Sequence, residues 1–340
     1  MTLLSSRRRF LGQAMLSAAA LKLLPGCSDA ADDADADIRL AVLAGQDPAI
    51  TPYWIARDRQ LFEKQGCSTS ILLGGPNSPP LLTLLAAKTV DMVVASWFSV
   101  ADAVARGNDL VVVGAGFPRN PNCIISRPDR PIRTAADIVG KKLLLQFTSY
   151  KDLIDAILAF NHVKGSYSMS PVGYNADVLF AGDGDGYFAF IVNGPIILEA
   201  EGRKPGKDFL VTPLSAMGYT LPDSLLVVRR ETLERKRDKL DGFFKALLQG
   251  YAINAEDVRP GVKLLTERYL PDAGINPANQ IRTAQAYLGL STLPGSTPYQ
   301  FGPAEIERMY AFAGLAGRTR LPAAGRLFDM SLLAAAARSA

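Results

Sequence analysis

From Ile38 onward, short apolar runs alternate with segments whose apolar residues recur every three or four positions. Runs of four to eight apolar residues between turn formers read as strands, and the wider spacing reads as amphipathic helix. Over the first part this predicts a strand from Ile38 to Ala44, a helix from Pro52 to Gln65 and a strand from Ser68 to Leu73. A helix from Pro79 to Lys88, a strand from Asp91 to Ala95, a helix from Ser99 to Arg106 and a strand from Leu110 to Gly114 follow. Alternation of this kind predicts a parallel sheet covered by helices.

After Asn122-Cys123-Ile124-Ile125-Ser126 the alternation resumes. It gives a strand from Lys142 to Gln146, a helix from Tyr150 to Asn161, a strand near Met169 and a helix near Tyr174. A strand from Tyr187 to Val192, a helix from Pro195 to Glu201 and a strand from Phe209 to Val211 complete a second α/β unit. Ser224 to Arg229 reads as extended, and the rest as helices over Leu233 to Ala255, Pro260 to Tyr269, Ala278 to Leu288 and Pro303 to Leu315. One arrangement accounts for this order. Two α/β lobes are joined by two extended crossings, near Asn122 and near Ser224, and the C-terminal helices return to the first lobe. Residues 38–121 with 224–340 then form one lobe, and 122–223 the other. In such folds solutes bind between the lobes, beyond the carboxyl ends of the strands, and rotation about the crossings buries them. A single large α/β domain with one cleft is the alternative that the pattern leaves open.

The N-terminus changes the picture of where this body resides. Arg7-Arg8-Arg9 is followed by an apolar stretch from Phe10 to Leu24 that ends at Leu24-Pro25-Gly26-Cys27. Residues 1–26 read as a cleavable export signal. The stretch, interrupted by Gly12, Gln13 and Lys22, falls short of the ~20 apolar residues that span a bilayer. Ser6-Arg7-Arg8-Arg9-Phe10-Leu11 resembles a twin-arginine export signal, with general secretion as the alternative. Leu24-Pro25-Gly26-Cys27 resembles a bacterial lipobox, which makes Cys27 the expected lipid acceptor and the membrane an expected partner; Pro25 departs from the usual pattern, and ordinary cleavage nearby is the alternative. Residues 27–37, small and acidic after Cys27, cannot bury enough surface to fold and read as a flexible tether.

Charge and rare residues narrow the chemistry. Four of the 37 basic residues lie in the leader, which leaves 33 against 33 acidic ones. That balance lacks the basic excess of a nucleic-acid binder. Besides Cys27 there are only Cys67 and Cys123, in runs that read as buried strands, so two isolated small apolar residues are expected. With a single histidine, His162, and no paired cysteines, a metal site lacks ligands. Gly182-Asp183-Gly184-Asp185-Gly186 lacks the alternating ligands and final glutamate of a calcium loop and reads as a turn. No Gly-x-Ser-x-Gly turn appears either. No cofactor is expected, and the protein is expected to be a monomer. Arg229-Arg230 with Arg235-Lys236-Arg237 reads as a solvated face, with transporter docking as the alternative.

The loops that follow strands and open helices are the expected lining of a pocket, because helix starts present unsatisfied N–H groups. In the first lobe this selects Thr51, Tyr53, Trp54, Asn77, Ser78, Ser96, Trp97 and Phe98. The second adds Gln146, Phe147, Thr148, Ser149, Tyr150 and Asn193, and the return crossing adds Tyr219 and Asp223. Both tryptophans fall in this set, so a flat ring stacked between aromatic side chains is expected, with Asn77, Gln146, Asn193 or Asp223 bonding its edge. Core packing is the alternative for each aromatic. Gln146 to Ser149 also reads as a helix cap able to hold an anion. No arginine sits on the selected loops to pair with a sulfonate or nitrate, which ranks such anions second.

Several segments resemble a known family, the substrate-binding proteins of ABC importers for nitrate, sulfonate, taurine and thiamine-pyrimidine precursors. Pro52-Tyr53-Trp54-Ile55-Ala56 with Leu61-Phe62-Glu63-Lys64-Gln65-Gly66 resembles the family's first helix, and Gly74-Gly75-Pro76 and Val90-Asp91-Met92 its next loops and strand. Arg119-Asn120-Pro121-Asn122, followed by Thr134 to Lys142, is the most distinctive match, and Asp223-Ser224-Leu225-Leu226 resembles the returning strand. Asn193-Gly194-Pro195 is similar to an Asn-Glu-Pro signature of the pyrimidine-precursor branch, with Gly194 in place of the glutamate. The resemblance implies a two-lobed periplasmic-binding-protein fold of the type II-like kind and a small-molecule ligand, such as a pyrimidine or related heterocycle. It implies ABC permease and ATPase partners and no enzyme activity. A eukaryotic thiamine-pyrimidine synthase shares the fold, but its histidine and cysteine-rich loop have no counterpart here. A ligand-sensing lipoprotein without a transporter is a further alternative.

Overall fold

Ten strands form among the described residues, 35–74, 78–147 and 149–339, of the computed structural model; runs rich in Val, Ile and Leu, such as Leu110–Phe117, are buried on both faces, whereas Ser168–Pro171 is not. The leader, Cys27, most of the tether, Asn77 and Thr148 lie outside the described residues. The first four strands are β1 (Ile38–Val42), β2 (Thr69–Leu73), β3 (Met92–Ala95) and β4 (Leu110–Phe117). Then come β5 (Asn122–Ser126), β6 (Lys142–Leu145), β7 (Ser168–Pro171), β8 (Gly186–Phe190) and β9 (Leu210–Pro213), and last β10 (Asp223–Arg229). They make two five-stranded sheets, in the orders β2-β1-β3-β10-β4 and β7-β6-β8-β5-β9.

Each sheet is mixed, where the sequence pattern predicts parallel sheets. In the first, β1 pairs in parallel with β2 and β3, while β10 runs antiparallel between β3 and β4. In the second, β6 pairs in parallel with β7 and β8, while β5 runs antiparallel between β8 and β9. The antiparallel strand of each sheet is the one that enters from the other sheet. β5 arrives over the short crossing 118–121, and β10 over residues 214–222, which open with the 3₁₀ turn Leu214–Met217 where the sequence pattern predicts an extended segment; neither passes over a βαβ helix that would bring it round to the parallel sense.

The helices are α1 (Thr51–Asp58), α2 (Leu61–Lys64), α3 (Leu81–Ala86), α4 (Trp97–Ala105), α5 (Tyr150–Phe160), α6 (Asp177–Phe180) and α7 (Gly194–Ala200). After β10 follow α8 (Arg230–Arg235), α9 (Arg237–Glu256), α10 (Val258–Leu264), α11 (Pro277–Leu288), α12 (Pro303–Leu315), α13 (Ala324–Leu327) and α14 (Ser331–Ser339). The helix expected over Pro52 to Gln65 divides at Gln60, whose left-handed φ of 54° breaks the ladder between α1 and α2. Among the described residues no helix is long and apolar enough to cross a membrane.

Two cores cover the first sheet. One joins Ile38, Tyr53, Trp54, Phe62 and Phe243 beneath α1 and α9. Their approach depends on Gly250 of α9, where an added Cβ would sit 2.2 Å from the Pro52 carbonyl oxygen. The other joins Val93, Trp97 and Phe98 to Ile154, Ile157 and Phe188 of the second sheet's layer through Phe312 of α12. Cys67 and Cys123 are free and buried, and burial pushes the Cys67 thiol up to about 12.

Candidate functional site

The two crossings are residues 118–121, between β4 and β5, and 214–222, between β9 and β10. A proline at 118 and another at 121 keep the first extended. The pair is bonded side to side. Asn120 Nδ2 donates to the Leu221 carbonyl oxygen at 2.7 Å, and Asn122 Nδ2 donates to Asp223 Oδ2 at 2.7 Å. Asn120 Oδ1 in turn accepts from the Asn122 amide at 3.0 Å. Ser224, next to Asp223, takes a left-handed φ of 53° against Gly116 of β4; an added Cβ on that glycine would lie 3.1 Å from Ser224 Cβ and 3.1 Å from Ala49 Cβ.

Loops from the strand ends of both sheets converge on Asp223. Asp47, after β1, caps the 3₁₀ turn Pro48–Ile50 by accepting from the Ala49 amide at 2.9 Å. Burial pushes its carboxyl up to about 6, against the Ala49 bond, and the charge of Asp223 adds to the rise. Asp223 is itself raised by burial, opposed by its bonds from Asn122 and from the Ser224 amide at 2.6 Å. Tyr150, at the start of α5, and Tyr219, on the second crossing, lie within the field of Asp223, and burial followed by that charge raises both phenols. Among the described residues neither carboxylate has an ion-pair partner.

Aromatic rings line the second sheet's side. Tyr150 stacks on Phe188 with centroids 4.1 Å apart, and Phe147 stands edge-on to Tyr150 at 5.5 Å. Tyr174, 69% exposed, meets Phe147 at 6.4 Å. Across the crossings, Phe117 of β4 packs edge-on against Phe190 of β8 and Tyr287 of α11. Two polar ties span the sheets at the flanks. Arg318, after α12, donates to Asp102 of α4 at 2.7 and 2.9 Å and to Asp152 of α5 at 2.7 Å. Arg282 of α11 pairs with Glu199 of α7.

The residues selected from the sequence divide into two groups. Gln146, which donates to the Phe188 carbonyl oxygen at 2.9 Å, Phe147, Ser149, Tyr150, Tyr219 and Asp223 share the region just described. Asn193 stands exposed at the start of α7, and Ser78 is exposed after β2. The tryptophans correct the stacking expectation. Trp54, 2% exposed, stacks on Tyr269 at 4.4 Å and donates Nε1 to the Gly45 carbonyl oxygen. Trp97, 1% exposed, packs on Tyr310 and Phe328 and donates to the Met309 carbonyl oxygen at 2.6 Å. Each indole has found its hydrogen bond in a core, on a different face of the sheet, so the two rings flank nothing between them.

Tyr53, Phe98 and Thr51 are likewise buried, Tyr53 against Phe62 and Phe243 and Phe98 beneath the Arg318 guanidinium. Ser96 serves as the N-cap of α4, its hydroxyl accepting from Ser99. Ser149 does not cap α5; with φ −63° and ψ −18° it is already helical, which turns its oxygen from the free amides. The selection missed Asp47, Asn122 and Tyr174. Asp47 opens a turn rather than a long helix, and Asn122 lies inside a strand run, so a search of helix starts passes over both. A separate groove of about 250 Å³, lined by Ile55, Asp58, Pro260, Leu264 and Arg268, belongs to the outer helical layer.

A family model described as NMT1/THI5 like matches residues 47–257, more than half of the chain. No curated protein sequence matches. Among solved structures, the chain is similar to the ligand-binding component of an ABC-type import system from Staphylococcus aureus with zinc bound. Identity there is 13%, the TM-score 0.64, and 88% of this chain and 99% of that one are covered. It is similar to the alkanesulfonate-binding protein SsuA from Xanthomonas axonopodis pv. citri bound to MOPS, at 21% identity, a TM-score of 0.60, and coverage of 88% and 96%. The periplasmic nitrate-binding protein NrtA from Synechocystis PCC 6803 gives 12% identity, a TM-score of 0.60, and coverage of 89% and 88%. At these identities the likeness is one of fold, the two-lobed fold of periplasmic binding proteins.

Proposed function

The chain belongs to the NMT1/THI5-like family, and on that premise we propose that it is the extracytoplasmic solute-binding component of an ABC importer. It captures a small organic molecule of the pyrimidine or related heterocycle class and hands it unchanged to permease and ATPase partners. The observation that supports this best is the convergence of strand-end loops from both sheets on Asp223, beside two crossings bonded to each other.

In this reading residues 38–121 with 224–340 are one lobe and 122–223 the other, and rotation about the crossings opens the cleft. Phe147, Tyr150 and Tyr174 flank the ring, while Gln146, Ser149, Asn193, Tyr219 and Asp223 offer polar atoms to its edge. A leader with Arg7-Arg8-Arg9 exports the protein, and a lipid on Cys27 holds it at the outer face of the membrane. The reading is of transport without catalysis. A small anion is the second reading, favoured by what the alkanesulfonate- and nitrate-binding neighbours are named for.

A thermal-shift screen of protein stripped of carried solute tests the proposal, using pyrimidines, thiamine precursors, flavins, sulfonates, nitrate and amino acids. A solute at 100 times its Kd adds about 2.7 kcal/mol of stability. A shift with one heterocycle class is expected; no shift with any member would remove the solute-binding reading.

A further inference from the structure

The strand-end loops, residues 43–50, 74–80, 95–98, 146–150, 171–176, 190–195 and 219–224, contain no lysine or arginine and two acids, Asp47 and Asp223. Lys151, next in sequence after Tyr150, is exposed and pairs with Asp155, and Arg119, on the first crossing, donates to the Gly289 carbonyl oxygen at 2.9 Å.

A third acceptor stands beside Asp223. Asn122 is 1% exposed, and its Oδ1 has no hydrogen-bond partner. A carboxylate only accepts, so the amide must turn its nitrogen to Asp223, which leaves the oxygen of the same planar group as an unpaired acceptor. Buried oxygens without donors are costly, and the cost is removed by a group that supplies N–H. Opposing this are the starts of α1, α4 and α5, the helices of eight or more residues that these loops open, each equivalent to about half a positive charge. Two carboxylates and a carbonyl oxygen outweigh them.

We infer that the solute carries a cationic or N–H-rich group, such as an amidine or an amino group on a nitrogen heterocycle, which binds at Asp47, Asp223 and Asn122 Oδ1. This rests on the solute-binding reading and narrows it: Asp47 reads charge, and anions are excluded. Asp47 suits that role, since burial and the neighbouring carboxylate both penalise its charged form, and a bound cation relieves that penalty.

The test uses the full chain, stripped of carried solute by unfolding and refolding. Its probes are benzamidine and 4-aminopyrimidine as donors, and benzenesulfonate and nitrate as anions. Calorimetric titration is expected to show binding of a donor and of neither anion, and Asp47→Asn weakens the donor at least tenfold. Asparagine keeps the acceptor for the Ala49 amide, so this variant is expected to fold, which circular dichroism checks; Asp223→Asn is the second variant. Binding of benzenesulfonate or nitrate without donor binding would overturn the charge reading and leave solute binding standing. Donor binding that survives within twofold in both variants would overturn it too. Silence with all four probes, joined to silence across the wider thermal-shift panel, would overturn both readings together.

Discussion

Asn122, the first residue of β5, donates its Nδ2 to Oδ2 of Asp223, the first residue of β10, at 2.7 Å. These are the two positions at which the chain enters one sheet from the other, so one side-chain bond joins both crossings at a common level. Asn120 adds a second tie to the Leu221 carbonyl oxygen. The hinge of the fold and the carboxylate of the candidate site are therefore one structure.

Asn122→Ala removes the donor and leaves a buried carboxylate with only the Ser224 amide. An unmet buried acceptor costs about 1–3 kcal/mol. Urea unfolding at pH 7 is expected to show a loss in that range. A loss below about half a kcal/mol would mean that Asp223 finds water instead.

Asp47→Asn is expected to stabilise the protein, and only above acid pH. A carboxyl raised from 3.8 to about 6 binds its proton more tightly folded than unfolded. The penalty is absent below about pH 4, grows through pH 4–6 and is complete above. Asp223, Tyr287 and Tyr299 are the titratable groups facing it; both phenols, raised by burial, stay neutral. The displacement corresponds to about 3 kcal/mol at full burial, and partial exposure reduces this to about 1–2 kcal/mol. Denaturation at pH 7.5 and pH 4 separates the outcomes: an equal gain at both would mean that charge is not the cause.

Arg318→Ala cuts a tie between α4 and α5, and so between the layers of the two sheets. The guanidinium is 14% exposed, with three bonds to two carboxylates. Small-angle scattering of the solute-free variant is expected to show a larger radius of gyration, with about 1–3 kcal/mol lost on unfolding. An unchanged radius would place the restraint elsewhere, with Arg282 and Glu199 the next pair to cut.

Apolar runs and helical spacing made the layered α/β architecture legible, since they report burial directly. The strands from Ile38 and Leu110 and the helices from Pro277 and Pro303 fall close to their predicted places. Strand direction was not legible, because β5 and β10 look like any buried strand and their antiparallel sense depends on where the crossing delivers them. The site was half legible. Phe147 follows a strand, Tyr150 opens a helix and Asp223 stands at the return crossing, and their position carries the signal. Trp54 and Trp97 do the same, yet their indoles turned inward, because a large apolar ring with one donor is as well served by a backbone carbonyl in a core. Asp47 had no signal beyond an acid before a proline.

The place of β10 between β3 and β4 fixes an order of events on the ribosome. β4 pairs within its sheet through β10 alone, and the whole second sheet is encoded between Phe117 and Asp223. While residues 118–222 emerge, β3 and β4 hold open edges of the kind that attract other chains. Synthesis usually favours the N-terminal unit, but here the second sheet has all its strands first. The first sheet is closed only when residue 229 is free to slide into its middle, a long-range pairing of the slow kind.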